Sequence, residues 1–142
     1  MDGGALLMIG GYLTFSGVDA KGKWHDTAVQ EVLPVEVLTV DDRKEHCDGI
    51  SPVVVKDHVS LKEYRRNGQM CWDITKSIPK PEAEVAVMIG DDPLVAFSEY
   101  GKGKMCRIYV GLRAALGAAG AFAKLGRIRE KIWKGIMDWL TR

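Results

Sequence analysis

The chain has 142 residues, 46% of them apolar and 27% charged, which is ordinary for one globular domain with a real core. Its net charge of +1 gives no one-signed field for nucleic acid or an anionic membrane, and no stretch nears the roughly 20 apolar residues of a membrane span. Cys47, Cys71 and Cys106 are odd in number and unevenly spaced, so no disulfide framework is expected, and no Cys or His spacing indicates a metal site.

The opening MDGGALLMIGG lacks a basic n-region, so no leader is expected and a cytoplasmic, reducing setting is. Ala5 to Ile9 is a short apolar run between glycines, which predicts a strand buried on both faces, as in a parallel sheet. The glycine-rich GGYLTFSGVDAKGKWHD that follows predicts a long loop of functional type. Asp26 or Thr27 can cap a short helix, TAVQEVL, that stops at Pro34. Glu36 to Val40 and Pro52 to Lys56 read as strands, with DDRKEHCDG as a polar loop between them.

Glu84 to Ile89 predicts another strand, and Gly90-Asp91-Asp92-Pro93 is turn chemistry. Leu94 to Tyr100 is a strand again, and the glycine turn from Gly101 to Lys104 leads into one more. Lys131 to Leu140 sets Ile132, Trp133, Ile136, Trp139 and Leu140 on one helical face. The basic residues that crowd the last third, Arg107 and Lys134 among them, read as a solvated helix face rather than a binding patch. The fold class is α/β, with antiparallel strands in the second half and a C-terminal helix.

Five blocks together resemble the glutamine amidotransferase-like family of bacterial proteins, relatives of class I amidotransferases. They are GGALLMIGGYLTFSG, KWHDTAVQEVLPV, DDR, PKPEAEV and GDDPLVAFSEYGKGK. The resemblance implies a partial flavodoxin-like sheet. Family members carry a further N-terminal portion of about a hundred residues, a domain-scale length. The resemblance therefore implies that residues 1–142 are a single incomplete domain, a C-terminal fragment.

In class I amidotransferases a strand enters a tight elbow bearing a cysteine nucleophile, beside backbone N–H donors that hold an oxyanion. The matching elbow, Ile9-Gly10-Gly11-Tyr12, has glycines there and no Cys, Ser or Thr at its tip. Glutamine hydrolysis by the cysteine route is not expected. Gly10, Gly11, Tyr12, Ser16 and Gly17 read instead as a ligand pocket at the carboxyl end of a strand; alternatively, Gly10 and Gly11 serve only the turn. His25 beside Asp26 reads as an acid–base pair or pocket lining, or as a cap and a solvated imidazole. Trp24 lines the same loop or packs in the core. The pairs Asp41-Asp42 and Asp91-Asp92 suit turns and caps better than metal or acid–base chemistry.

The expected partners are a small-molecule ligand or a second copy of the chain, without nucleic acid, membrane, metal or cofactor. The rival readings are amide or C–N hydrolysis by the intact family protein, and an oligomerising domain with no ligand.

The resemblance stops abruptly at residues 59–75 and 106–130 and returns in register after each. A reading-frame slip does this; gradual divergence does not. With one base dropped, codons for Cys106 to Gly117 can read V-A-Y-T-S-D-C-A-P-H-W-G, the motif implied at this point of the family. The native frame would resume at Glu130-Lys131. The rival is a diverged helix rich in Ala, Leu, Lys and Arg, with interior glycines that each cost about 1 kcal/mol.

Overall fold

A computed structural model describes residues 3–11, 13–62, 71–109, 130 and 132–142. Its elements in chain order are β1 (Ala5–Gly10), α1 (Ala28–Val32), β2 (Val35–Glu36), β3 (Arg43–Ile50), β4 (Val53–Val54), β5 (Cys71–Thr75), β6 (Ile78–Pro79), β7 (Glu84–Ile89), β8 (Asp92–Tyr100) and β9 (Gly103–Tyr109). A helix over 132–140, α2, follows.

The central sheet has the order β1-β9-β8-β7-β4. Two tight turns make its antiparallel core. Ile89 pairs with Asp92 across Gly90-Asp91, and Tyr100 pairs with Gly103 across Gly101-Lys102. Gly90 and Gly101 take φ of 57° and 61°, the left-handed values such hairpin turns need. β1 joins this meander in parallel, from Ala5 opposite Lys104 to Gly10 opposite Tyr109. The α/β class, the antiparallel second half and the C-terminal helix are therefore as the sequence implies.

Each face of the sheet carries its own core. Cys106 and Ile108 of β9, with Val95 and Phe97 of β8, meet Leu61, Ile74 and the α2 residues Ile136 and Leu140. Ile132, Trp133 and Trp139 pack around this cluster, so the predicted apolar face of α2 is the one used. Full burial of Ile136 and near-full burial of Leu140 stabilise the helix by about 1.5–3 kcal/mol each. On the opposite face, Met8 and Ala96 pack with Phe15, Leu33, Val35 and Val37 of the segment after β1. Register shifts in β7 around Val87 break the alternation, so Val85 packs with one cluster while Ala86 and Val87 both join the other.

Five sequence expectations need correction, the first being the strand expected over 52–56, which is only Val53–Val54. β1 is only partly buried on its two faces: Leu7 packs on one core and Leu6 and Met8 on the other, but Ile9 is 43% exposed. The strand expected over 36–40 is only Val35–Glu36, paired with β6. Its alternating valines anchor a loop: Val35 and Val37 are buried while Val40 is 59% exposed. Most of the supposed polar loop at 41–49 belongs to the eight-residue strand β3. Its polarity fits a two-stranded ribbon with β5, set apart from the central sheet and with Glu45, Cys47 and Asp48 exposed. Arg107 lies on no solvated face: it is fully buried on β9.

Within the two segments where the resemblance stops, residues 59–61 form a 3₁₀ turn and 71–75 and 106–109 lie in strands. Residues 63–70 and 110–129, including the rival helix, lie outside the described residues.

Candidate functional site

The segment leaving β1 is built around a buried carboxylate. Asp42 is fully buried. It accepts the backbone N–H of Ser16 at 2.8 Å and of Gly17 at 2.9 Å, one on each oxygen. Its own carbonyl accepts Lys76 N–H at 2.7 Å, tying the loop to the chain beyond β5. Burial pushes the Asp42 carboxyl above its ordinary range, while the two N–H donors pull the other way.

Next to it, Asp41 faces outward and does the opposite. Arg43 binds it through Nε at 3.0 and 3.2 Å and Nη2 at 2.7 Å, and Asp19 N–H adds a bond at 3.0 Å. The Arg43 side chain first, then the Asp19 amide, hold the Asp41 carboxyl far below the carboxylate range.

These clamps hold a backbone in an unusual shape. Phe15, Asp19, Ala20, Lys23 and Asp26 all take positive φ, between 52° and 60°, and every positive-φ non-glycine among the described residues falls in this one loop. Gly22 sits where the loop folds back on itself. Its N–H bonds Ser16 O at 2.7 Å. A Cβ there would meet the carbonyl oxygens of Phe15, Leu13 and Ser16.

Beneath the loop lies Arg107. Its guanidinium stands 5.2 Å from the centre of the fully buried Phe15 ring. It donates to the carbonyls of Pro93, of Leu94 at 3.2 Å and of Thr75 at 2.5 Å. A buried guanidinium is tolerable because these carbonyls and the ring replace its water.

Ser16 and Gly17 are thus brought together on Asp42. Gly10 is buried at the end of β1, and Gly11 O accepts Thr14 N–H at 3.4 Å and Thr14 Oγ at 3.2 Å. Ser16 Oγ donates to Leu38 O. Trp24 is 39% exposed and joins the loop through its backbone, N–H to Phe15 O at 3.4 Å. His25 Nδ1 and Asp26 Oδ2 pair at 2.9 Å on the exposed side, with each other and not with Ser16 or Gly17. The helix cap is Thr27, whose Oγ accepts Gln30 N–H at 3.3 Å, so Asp26 does not fill that role. Tyr12 lies outside the described residues. Among the described residues no three His, Cys, Asp or Glu side chains gather as a metal site would require.

Sequence reasoning passed over Asp42 and Arg107 as parts of this site. Asp42 acts on residues 26 and 25 positions earlier, which no local pattern reveals. Arg107 carried one signal, a lone charge between Cys106 and Ile108 in a strand.

A family model described as "Putative glutamine amidotransferase" matches residues 1–142. The chain belongs to this glutamine amidotransferase-like family. Two solved structures agree with that placement. Cytoplasmic Protein STM1381 from Salmonella typhimurium LT2 is 32% identical and superposes with a TM-score of 0.83. Cytoplasmic Protein STM3548 from Salmonella typhimurium is 28% identical, with a TM-score of 0.80. Each match covers 98% of this chain but 56% of the other, so the chain spans little more than half the length of these family members. No curated protein matches the chain. Among the described residues no helix is long and apolar enough to cross a membrane.

Proposed function

We propose that this amidotransferase-like chain does not hydrolyse glutamine and that the loop after β1 binds a small molecule or a partner, in the cytoplasm. One observation carries the reading: among the described residues, the two aliphatic hydroxyls near the elbow are committed to backbone carbonyls. Thr14 Oγ donates to Gly11 O and Ser16 Oγ to Leu38 O. A serine or threonine nucleophile must hand its proton to a base, and a peptide carbonyl is not one. The His25–Asp26 pair, which could serve as a base, bonds neither of these hydroxyls. Gly10 and Gly11 supply no nucleophile of their own.

The binding half of the proposal rests on the loop's construction. Strained backbone that surrounding contacts over-determine collects at binding sites, and here Asp42 fixes such a segment at the carboxyl end of a strand. The naming of both solved relatives as cytoplasmic supports the setting.

The test is to incubate the purified chain with glutamine, assay ammonia release, and follow amide resonances while titrating glutamine and related small amides. Ammonia at blank level, with shifts at Gly10, Gly11, Ser16 and Gly17, is the expected result. Turnover that disappears on Ser16→Ala would overturn the first half. Shifts confined to residues outside 10–26 would overturn the second.

A further inference from the structure

A concavity lies on the opposite face of the sheet, away from the loop. It is a cleft of about 440 Å³ lined by His58, Glu82, Glu84, Phe97, Ser98, Glu99 and Trp139. Its aromatic wall is ordered by stacking. The His58 ring lies flat on Phe97, with centroids 3.7 Å apart. The Trp139 ring meets both edge-on, at 5.1 Å from His58 and 5.0 Å from Phe97. His58 is fixed from behind, where Nδ1 lies 2.6 Å from Ser60 Oγ and accepts Ser60 N–H at 3.3 Å.

The rest of the lining is acidic. Glu84 pairs with Lys56 at 3.1 Å. Glu82 and Glu99 are exposed and form no ion pair with a described residue. Burial, the largest influence, pulls His58 below its ordinary value, so the imidazole adds no compensating charge at neutral pH. The cleft therefore combines aromatic faces with two carboxylates that form no ion pair with a described residue. A bare metal ion would leave the rings unused, and a neutral apolar molecule would leave the carboxylates unused. An ammonium or guanidinium group on an aliphatic stem uses both. The protein already makes such a contact with this tryptophan: Lys104 Nζ lies 5.4 Å from the Trp139 ring centre and bonds Trp139 O at 3.1 Å.

We propose that this cleft is a binding site for a small organic cation, an aliphatic amine or guanidine, with its charge held by Glu82 and Glu99 and its stem against His58 and Trp139. The volume suits a metabolite-sized ligand. The site is independent of the loop after β1, so either proposal can fail alone.

Calorimetric titration with spermidine tests it, with glutarate as the anionic counterpart. Saturable binding of spermidine is expected, with no binding of glutarate. The double variant Glu82→Gln/Glu99→Gln should weaken spermidine roughly tenfold or more, since it removes both unpaired charges. Both side chains are on the surface, so the variant should unfold at the wild-type temperature. Trp139→Leu should also weaken binding, by loss of the ring. Absence of saturable heat up to about 10 mM, a range that covers even weak binding, would overturn the proposal. So would spermidine affinity unchanged in the double variant, or glutarate binding equally well.

Discussion

Asp42 holds Ser16 by the backbone, its Oδ2 accepting the Ser16 N–H at 2.8 Å while its other oxygen takes Gly17. One side chain thereby fixes two successive peptide groups of the loop after β1. Asp42→Ala leaves both N–H donors buried and unanswered, each at about 1–3 kcal/mol. We expect a loss of about 2–5 kcal/mol in urea unfolding, and faster hydrogen exchange at Ser16 and Gly17 than elsewhere in the loop. A loss under 1 kcal/mol would mean that the clamp is dispensable.

Asp41 and Asp42 are neighbours with opposite acid behaviour. The Asp41 carboxyl is held below its ordinary value of 3.8. Its stabilising contribution is present above that value and is lost as pH falls toward the folded-state value. The Asp42 carboxyl is raised from the same ordinary value. Between 3.8 and its folded value the native state binds the extra proton, so stability from this group declines as pH climbs through that window. Asp41→Asn should flatten the stability profile below pH 3.8, and Asp42→Asn the profile just above it. Chemical denaturation in steps from pH 2 to 7 reads both, and an effect of either variant in the other's window would contradict the assignment.

Arg107 is fully buried, so its removal should be costly. Arg107→Met fills similar volume but leaves the carbonyls of Pro93, Leu94 and Thr75 without their donor. A loss of about 3–5 kcal/mol is expected from breaking a buried charged network on one side. Arg107→Lys should recover only part of it, because one ammonium cannot span three carbonyls with the guanidinium's fixed fork. Full recovery by lysine in thermal unfolding would show that charge, not geometry, is what matters.

Gly135 tests the seating of α2. A Cβ at this position would overlap the carbonyl oxygen of Ser60 and come within 2.9 Å of its carbon. Gly135→Ala gains the roughly 1 kcal/mol that alanine offers in a helix, but forces α2 off the 59–61 turn. The net outcome should be a destabilisation of about 1–3 kcal/mol, as for an overpacked core. A more stable variant would mean that the helix shifts without penalty.

The frame-slip proposal is decided by the gene. The DNA under Cys106 to Gly117 should read T-S-D-C-A-P-H-W-G when displaced by one base. DNA incapable of that reading would leave divergence as the explanation.

The parts legible in the sequence are those whose local pattern agrees with their packing. β7, β8 and β9 declare themselves through apolar runs separated by glycine turns, and α2 through its stripe. β3 was illegible because a strand in a two-stranded ribbon needs no apolar face, and RKEHCDGI has almost none. The segment after Val35 misled in the opposite sense: alternation marked alternating burial, not a ladder. At the candidate site, Gly10, Gly11, Ser16 and Gly17 were marked by their place in and after the elbow that follows the first strand. What arranges them, Asp42 and Arg107, acts across the fold, and polar residues at long range leave no periodic trace.

The attachment of α2 has a consequence for motion. The helix touches the 59–61 turn through Gly135, the β8–β9 hairpin through Lys104, and the aromatic pair of His58 and Phe97 through Trp139. Helix and cleft are therefore one cooperative unit. A fluctuation that lifts α2 removes a wall of the acidic cleft in the same event, while the loop held by Asp42 on the other face stays closed. Any molecule seated in that cleft would act as a latch, slowing exchange of the α2 amides and leaving those of Ser16 and Gly17 untouched.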